Sequence, residues 1–169
     1  MTEGATEDVT ERSLWRPVRE LLERVDSEIA RVYQASPDTQ DVRPSWVLEI
    51  LRLEARGPMT IRQLAATVGR THSASSQKVA AMTKAGLVET SRGPDARTRR
   101  VQVTDRARDL VGRMRAEWLA TEDALAELEA ETPYPLSRAV ADLNAALDRR
   151  SFSERLTEHL DAGKRARKS

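Results

Sequence analysis

The sequence predicts a mainly α chain with one small β-hairpin, and three observations carry that prediction. Apolar residues recur three and four apart over long stretches, which is the period of one helix face. Thr, Pro and Gly stand where those stretches begin and end. One segment, Val88 to Val103, instead alternates apolar and polar residues on both sides of a Gly-Pro-Asp turn, the period of half-buried strands. With 169 residues, 39% hydrophobic and only 4% aromatic, the chain can bury one moderate core and carry helical extensions.

Residues 1–10 are polar and acidic and are expected to be a disordered tail. In 11–56, Leu14, Val18, Leu21, Leu22, Val25, Ile29 and Val32 put a stripe on a long helix that Pro17 makes start near Arg16 or kink there. "SWVLEILRLEAR" predicts a second helix, stopped by Gly57-Pro58. Residues 57–104 change character. Thr60 caps "IRQLAATV", Gly69 ends it, Thr71 caps "HSASSQKVAAMTKA", and Gly86 closes that helix ahead of the hairpin. Ala74, Val79 and Met82 are expected to pack inward, with Val101 and Val103 anchoring the hairpin to the core.

In 105–162, Thr104 caps a helix with Leu110, Met114, Trp118, Thr121, Leu125 and Leu128 at near-heptad spacing. "TPYP" breaks it. Two amphipathic helices follow, with Leu136, Val140, Leu143 and Leu147 on one and Phe152, Leu156 and Leu160 on the other. Residues 163–169 form a basic tail. These stripes exceed what one monomer core requires, so the flanking helices are expected to form a dimerisation region.

Charge is segregated. Residues 1–55 carry 7 Lys+Arg against 12 Asp+Glu, 56–100 carry 9 against 2, and 101–169 carry 12 against 13. The central block is a local positive field of the kind that meets a polyanion. Its piece order, a short helix, a turn at Gly69, a second helix and a basic hairpin, is that of a winged helix-turn-helix. The second helix would present His72, Ser73, Ser76 and Gln77, small or polar enough to enter a major groove and bond base edges. Thr71 heads that helix, while Lys78, Lys84, Arg62 and Arg70 are expected at flanking phosphates. Arg92, Arg97 and Arg99 surround the hairpin turn and suit a narrow minor groove, with Asp95 holding Arg97 extended.

"TIRQLAATVGRTHSASSQKVAAMTKAGLVETSRGPDARTRRVQVTDRARDLV" resembles the DNA-binding core of the MarR (multiple antibiotic resistance regulator) family. Asp95-Ala96-Arg97 followed by Val101-Gln102-Val103-Thr104 resembles that family's wing signature, and "KAGLVE" its approach to the wing. The loop from Val88 to Asp95 is one residue shorter than usual there, and Ser75 stands where an aliphatic is usual, so the recognition helix is expected to pack less firmly.

The resemblance implies a homodimer whose first and last helices interdigitate, with one recognition helix per palindromic half-site of double-stranded DNA. It also implies a small-molecule effector, aromatic or anionic, between the DNA-binding lobe and the dimerisation helices, where Trp15, Trp46 and Trp118 would converge with Arg16 as an anion partner. The expected function is a sequence-specific transcriptional regulator, a repressor in its usual form. The alternative is a winged-helix interaction or architectural module without operator specificity.

Catalysis is not expected. The chain has no cysteine, its two histidines, His72 and His159, lie far apart, and Gly57, Gly69, Gly86 and Gly93 each stand alone at an element boundary rather than in a phosphate loop. No cofactor, metal or membrane segment is expected, and the expected location is cytoplasmic, at the nucleoid.

Overall fold

The computed structural model describes residues 8–92 and 99–166, Arg92 by its backbone alone. A 3-10 turn at Val9–Glu11 precedes helices α1 (Arg16–Gln34), α2 (Pro44–Arg56), α3 (Ile61–Thr67) and α4 (His72–Lys84). Strands β1 (Val88–Arg92) and β2 (Arg99–Val103) then lead to α5 (Asp105–Ala130), α6 (Leu136–Arg149) and α7 (Phe152–Ala166). The fold class is the one the sequence predicts. The turn at Val9 reaches into the stretch expected as a tail, and α7 carries helix through Lys164 and Arg165.

The chain divides into two compact units, residues 1–119 and 120–169. In the first, local chemistry sets the boundaries. Pro17 and Pro44 sit in the first turns of α1 and α2, where a missing N–H costs no hydrogen bond, so α1 starts at Arg16. Thr60 and Gln63 form a reciprocal capping box: the Gln63 N–H donates to Thr60 Oγ1 (3.2 Å) and the Thr60 N–H to Gln63 Oε1 (2.9 Å). Gly69, at φ +66°, turns the chain, and Thr71 Oγ1 then accepts from the Ala74 N–H to start α4.

α4 ends in a Schellman motif. The Leu87 N–H donates to the Met82 carbonyl and the Gly86 N–H to that of Thr83, both at 3.0 Å, with Gly86 at φ +70°. This geometry delivers Leu87, fully buried, into the core and launches β1.

β1 and β2 pair antiparallel with Val88 opposite Val103 and Thr90 opposite Val101. Met59 flanks β2 on its other side, exchanging backbone hydrogen bonds with Val101 at 3.0 and 2.7 Å, so the hairpin base is tied to the residue just before the α3 cap. The core gathers Trp46, Val47, Ile50 and Leu53 of α2, Leu64 of α3, Val79 and Met82 of α4, Leu87, the hairpin valines, and Ala107 and Met114 of α5. Ser75 is fully buried beside these, at 0% exposure, and its hydroxyl has no partner among the described residues.

The second unit holds the end of α5 with α6 and α7. The Ser137 N–H and hydroxyl both donate to the Glu129 carboxylate at 2.6 Å, which closes the α5–α6 turn and holds that carboxyl below its usual range. Arg155 donates to the carbonyls of Arg150 (3.3 Å) and Ala146 (3.0 Å), satisfying the end of α6. No residue of α6 or α7 is buried.

Candidate nucleic-acid interface

α4 is amphipathic by size rather than by charge. Val79, Met82 and Ser75 face the core, which leaves His72, Ser73, Gln77 and Ala80 exposed and Ser76 half-buried on the opposite side. Lys84 is exposed two turns beyond Gln77 and therefore on the same stripe. The Thr71 hydroxyl is engaged as the helix cap. Arg62 is exposed on α3, and Arg99 is exposed on β2. The Arg92 side chain, Asp95 and Arg97 lie outside the described residues.

Both ends of α4 are braced. At its C-terminal end, Arg106 of α5 donates to the Ala85 carbonyl (2.8 Å) and to Asp41 (3.2 Å), and the Thr104 hydroxyl donates to the Gly86 carbonyl (2.8 Å). The α1–α2 loop, α5 and the exit of α4 are thereby linked through one guanidinium.

In the middle of α4, Lys78 departs from expectation. Expected at the phosphate flank, it turns inward: its ammonium donates to Glu49 Oε1 (3.0 Å) and to the Ser45 carbonyl, and its side chain is only 18% exposed. The cause is Glu49 itself, which is 0% exposed on α2 and demands a counter-charge. Leaving one member of such a pair buried alone typically costs about 3–5 kcal/mol. Arg70 is drawn the same way, with Nε 3.4 Å from the same oxygen, but its side chain stays 43% exposed. It is shared between Glu49 and solvent rather than free for phosphate.

Glu49 was not among the sequence candidates. Its signal was present: a carboxylate standing between Trp46 and Leu53 on an otherwise apolar stripe.

The four residues expected to gather around an effector separate into two pairs. Trp46 is buried and Trp118 packs half-buried against the same core. Trp15 is 51% exposed ahead of α1, outside that cluster, and Arg16 is engaged by the Thr10 carbonyl (3.2 Å) and Glu11 (3.5 Å). Near Trp118, Glu117 pairs with Arg113 (3.0 Å), which also reaches Asp38 (2.7 Å). Burial pushes the Tyr33 phenol well above its ordinary range, and the Glu117 carboxylate adds to the shift. Among the described residues no cluster of His, Cys, Asp or Glu could hold a metal ion, and no helix is long and apolar enough to cross a membrane.

A family model described as HVO_A0114 matches residues 47–110, the stretch from α2 into α5 and less than half of the chain. No curated relative matches in sequence. Solved structures match over most of the chain. A transcriptional repressor, CouR, bound to a 23-mer DNA duplex is 21% identical, covering 87% of this chain and 99% of its own, with a TM-score of 0.59. The MepR–DNA complex of S. aureus is 14% identical, with coverages of 80% and 96% and a TM-score of 0.63. A MarR variant from E. coli complexed with operator DNA is 17% identical, with coverages of 80% and 99% and a TM-score of 0.55. This chain has the winged-helix fold of the MarR-type regulators.

Proposed function

We propose that this protein is a sequence-specific DNA-binding transcriptional regulator that binds a palindromic site as a homodimer. The observation that carries the reading is the outer face of α4: a helix braced at both ends that turns small and polar side chains to solvent beside a basic hairpin. An α-helix fits the major groove, about 12 Å wide, only if its leading face is slim, and this one is. In this reading Gln77, exposed on that face, takes the N6/N7 pair of an adenine, and Ser73, Ser76 and His72 bond bases or nearby phosphates. Lys84 and Arg62 supply phosphate contacts, with a lesser share from Arg70. The minor-groove contacts are assigned to Arg92, Arg97 and Arg99, with Asp95 beside them in sequence.

The outcome of binding, in this reading, is repression by occupying promoter DNA. A small aromatic or anionic effector relieves it by shifting the population toward dimers whose two recognition helices no longer match the half-site spacing. In this reading Trp118, half-buried against the core, is the tryptophan that contacts the effector. The fold shared with proteins solved on DNA supports the DNA partner.

The experiment is competition on the DNA flanking the protein's own gene. The regulator reading expects the homologous fragment to displace labelled DNA far better than random duplex of equal length. Equal displacement by both would leave a winged-helix module without operator specificity.

A further inference from the structure

Glu49 has no part in contacting DNA, yet it is the one fully buried acidic side chain among the described residues, and two cations of the helix-turn-helix converge on one of its oxygens. Its other oxygen, Oε2, is buried without a hydrogen-bond partner among the described residues. Lys78 reaches it from α4 and also bonds the Ser45 carbonyl one turn earlier on α2, so the ammonium is held at two points of one helix. Arg70 reaches it from the turn just ahead of α4.

The consequence follows from helix geometry. Successive residues are rotated by about 100° around an α-helix, so fixing the direction of Lys78 also fixes that of its neighbour Gln77 and of the rest of the outer face. The pairing also keeps a mobile cation away from the surface on which Gln77 and Lys84 lie. Resting on the DNA-binding reading above, we propose that Glu49 is a positioning residue for sequence discrimination: it sets the rotation of the recognition helix and withholds Lys78 from the phosphate backbone.

Glu49→Gln keeps the volume and removes the charge. Lys78 is then released, and the protein binds DNA more indiscriminately and with greater salt sensitivity. A merely structural role would weaken binding to all DNA and leave the salt slope alone.

The test uses the full chain, Glu49→Gln, Lys78→Met and the double variant, each checked for cooperative unfolding. Acylation of amines read by mass spectrometry is informative because the chain has few lysines, of which Lys84 and Lys164 are exposed references. In the parent, Lys78 should react far more slowly than Lys84; in Glu49→Gln it should react at a comparable rate. Binding is then measured to a duplex selected by the parent from a random-sequence pool, and to the unselected pool, at several salt concentrations.

Glu49→Gln should steepen the slope of log K against log[salt] by about 0.9 per bound chain. Its preference for the selected duplex should fall about tenfold or more, as when a matched base contact is lost. Adding Lys78→Met should remove the greater part of that increase, leaving only the share of Arg70, which Glu49 also held. Lys78→Met alone, which leaves Glu49 paired with Arg70, should lose discrimination at an unchanged slope, and it carries the DNA arm if Glu49→Gln does not fold. The proposal is overturned if Lys78 stays protected in Glu49→Gln, or if slope and discrimination both match the parent. A parent that enriches no sequence from the pool sinks the DNA-binding reading instead, and the labelling, done without DNA, still decides whether Glu49 holds Lys78.

Discussion

Gln77 and Arg97 are assigned different roles in the proposed interface and should therefore fail differently. Gln77 is exposed on the α4 outer face, where its amide can read a base. Gln77→Ala should leave the salt slope unchanged and relax preference at one base pair per half-site by about 1–3 kcal/mol. Arg97→Ala should cost roughly 1–3 kcal/mol and flatten the salt dependence, because a charge in the groove releases counterions on binding. Asp95→Asn should be a weaker version of that change. Titrations of a matched site and half-site variants at two salt concentrations separate the cases, and an Arg97→Ala protein that binds like the parent removes the hairpin from the interface.

Ser75 makes a prediction of the opposite sign. Its buried hydroxyl lacks a partner among the described residues, so Ser75→Ala removes a desolvated polar group and improves helix propensity together. Stability should rise by about 1 kcal/mol. Thermal unfolding reads this directly, and a destabilised variant would mean that the hydroxyl is satisfied in solution.

At the scale of elements, boundaries depend on neighbours in sequence, and that is why they were legible. Thr60, Thr71 and Thr104 each accept from a backbone N–H three residues ahead, as their positions before apolar-periodic stretches suggested. Gly69 and Gly86 adopt the left-handed conformation just past their helices. What the sequence could not place was Lys78, because its partner lies 29 residues away on another helix. A charge tally over a sequence window counts Lys78 and Arg70 as part of a basic surface and cannot see that Glu49, outside the window, claims them.

The Schellman turn at Gly86 offers an element-scale test. A Cβ there would meet Arg106 Nη1 at 3.6 Å, an ordinary contact, so the strain of any replacement comes from φ +70° alone. Gly86→Ala should cost about 1–2 kcal/mol, and Gly86→Asn less, since Asn tolerates this conformation. Chemical denaturation of the pair measures it; equal losses would point to sterics rather than backbone strain.

At the scale of the molecule, the described residues leave regular apolar stripes exposed. Leu136, Val140, Leu143 and Leu147 of α6, and Phe152, Leu156 and Leu160 of α7, are all exposed despite regular amphipathic spacing. In α1, whose stripe runs from Val18 to Val32, the one buried side chain is Tyr33. Folded monomers rarely show contiguous apolar faces of this extent, and a self-complementary pairing of two copies is the commonest way to cover them. Leu143→Asp combined with Leu147→Asp tests this cleanly, because both side chains are already solvent-exposed within the single chain and their replacement removes no contact from its core. Sedimentation should show the parent as a dimer of 18.9 kDa chains and the double variant as monomer, or as partly unfolded chain if the fold depends on the partner. Loss of the dimer should weaken binding to a palindromic duplex far more than to a single half-site, since only the palindrome engages two recognition helices at once. A variant that remains dimeric and keeps its preference for the palindrome would place the subunit contact somewhere other than α6.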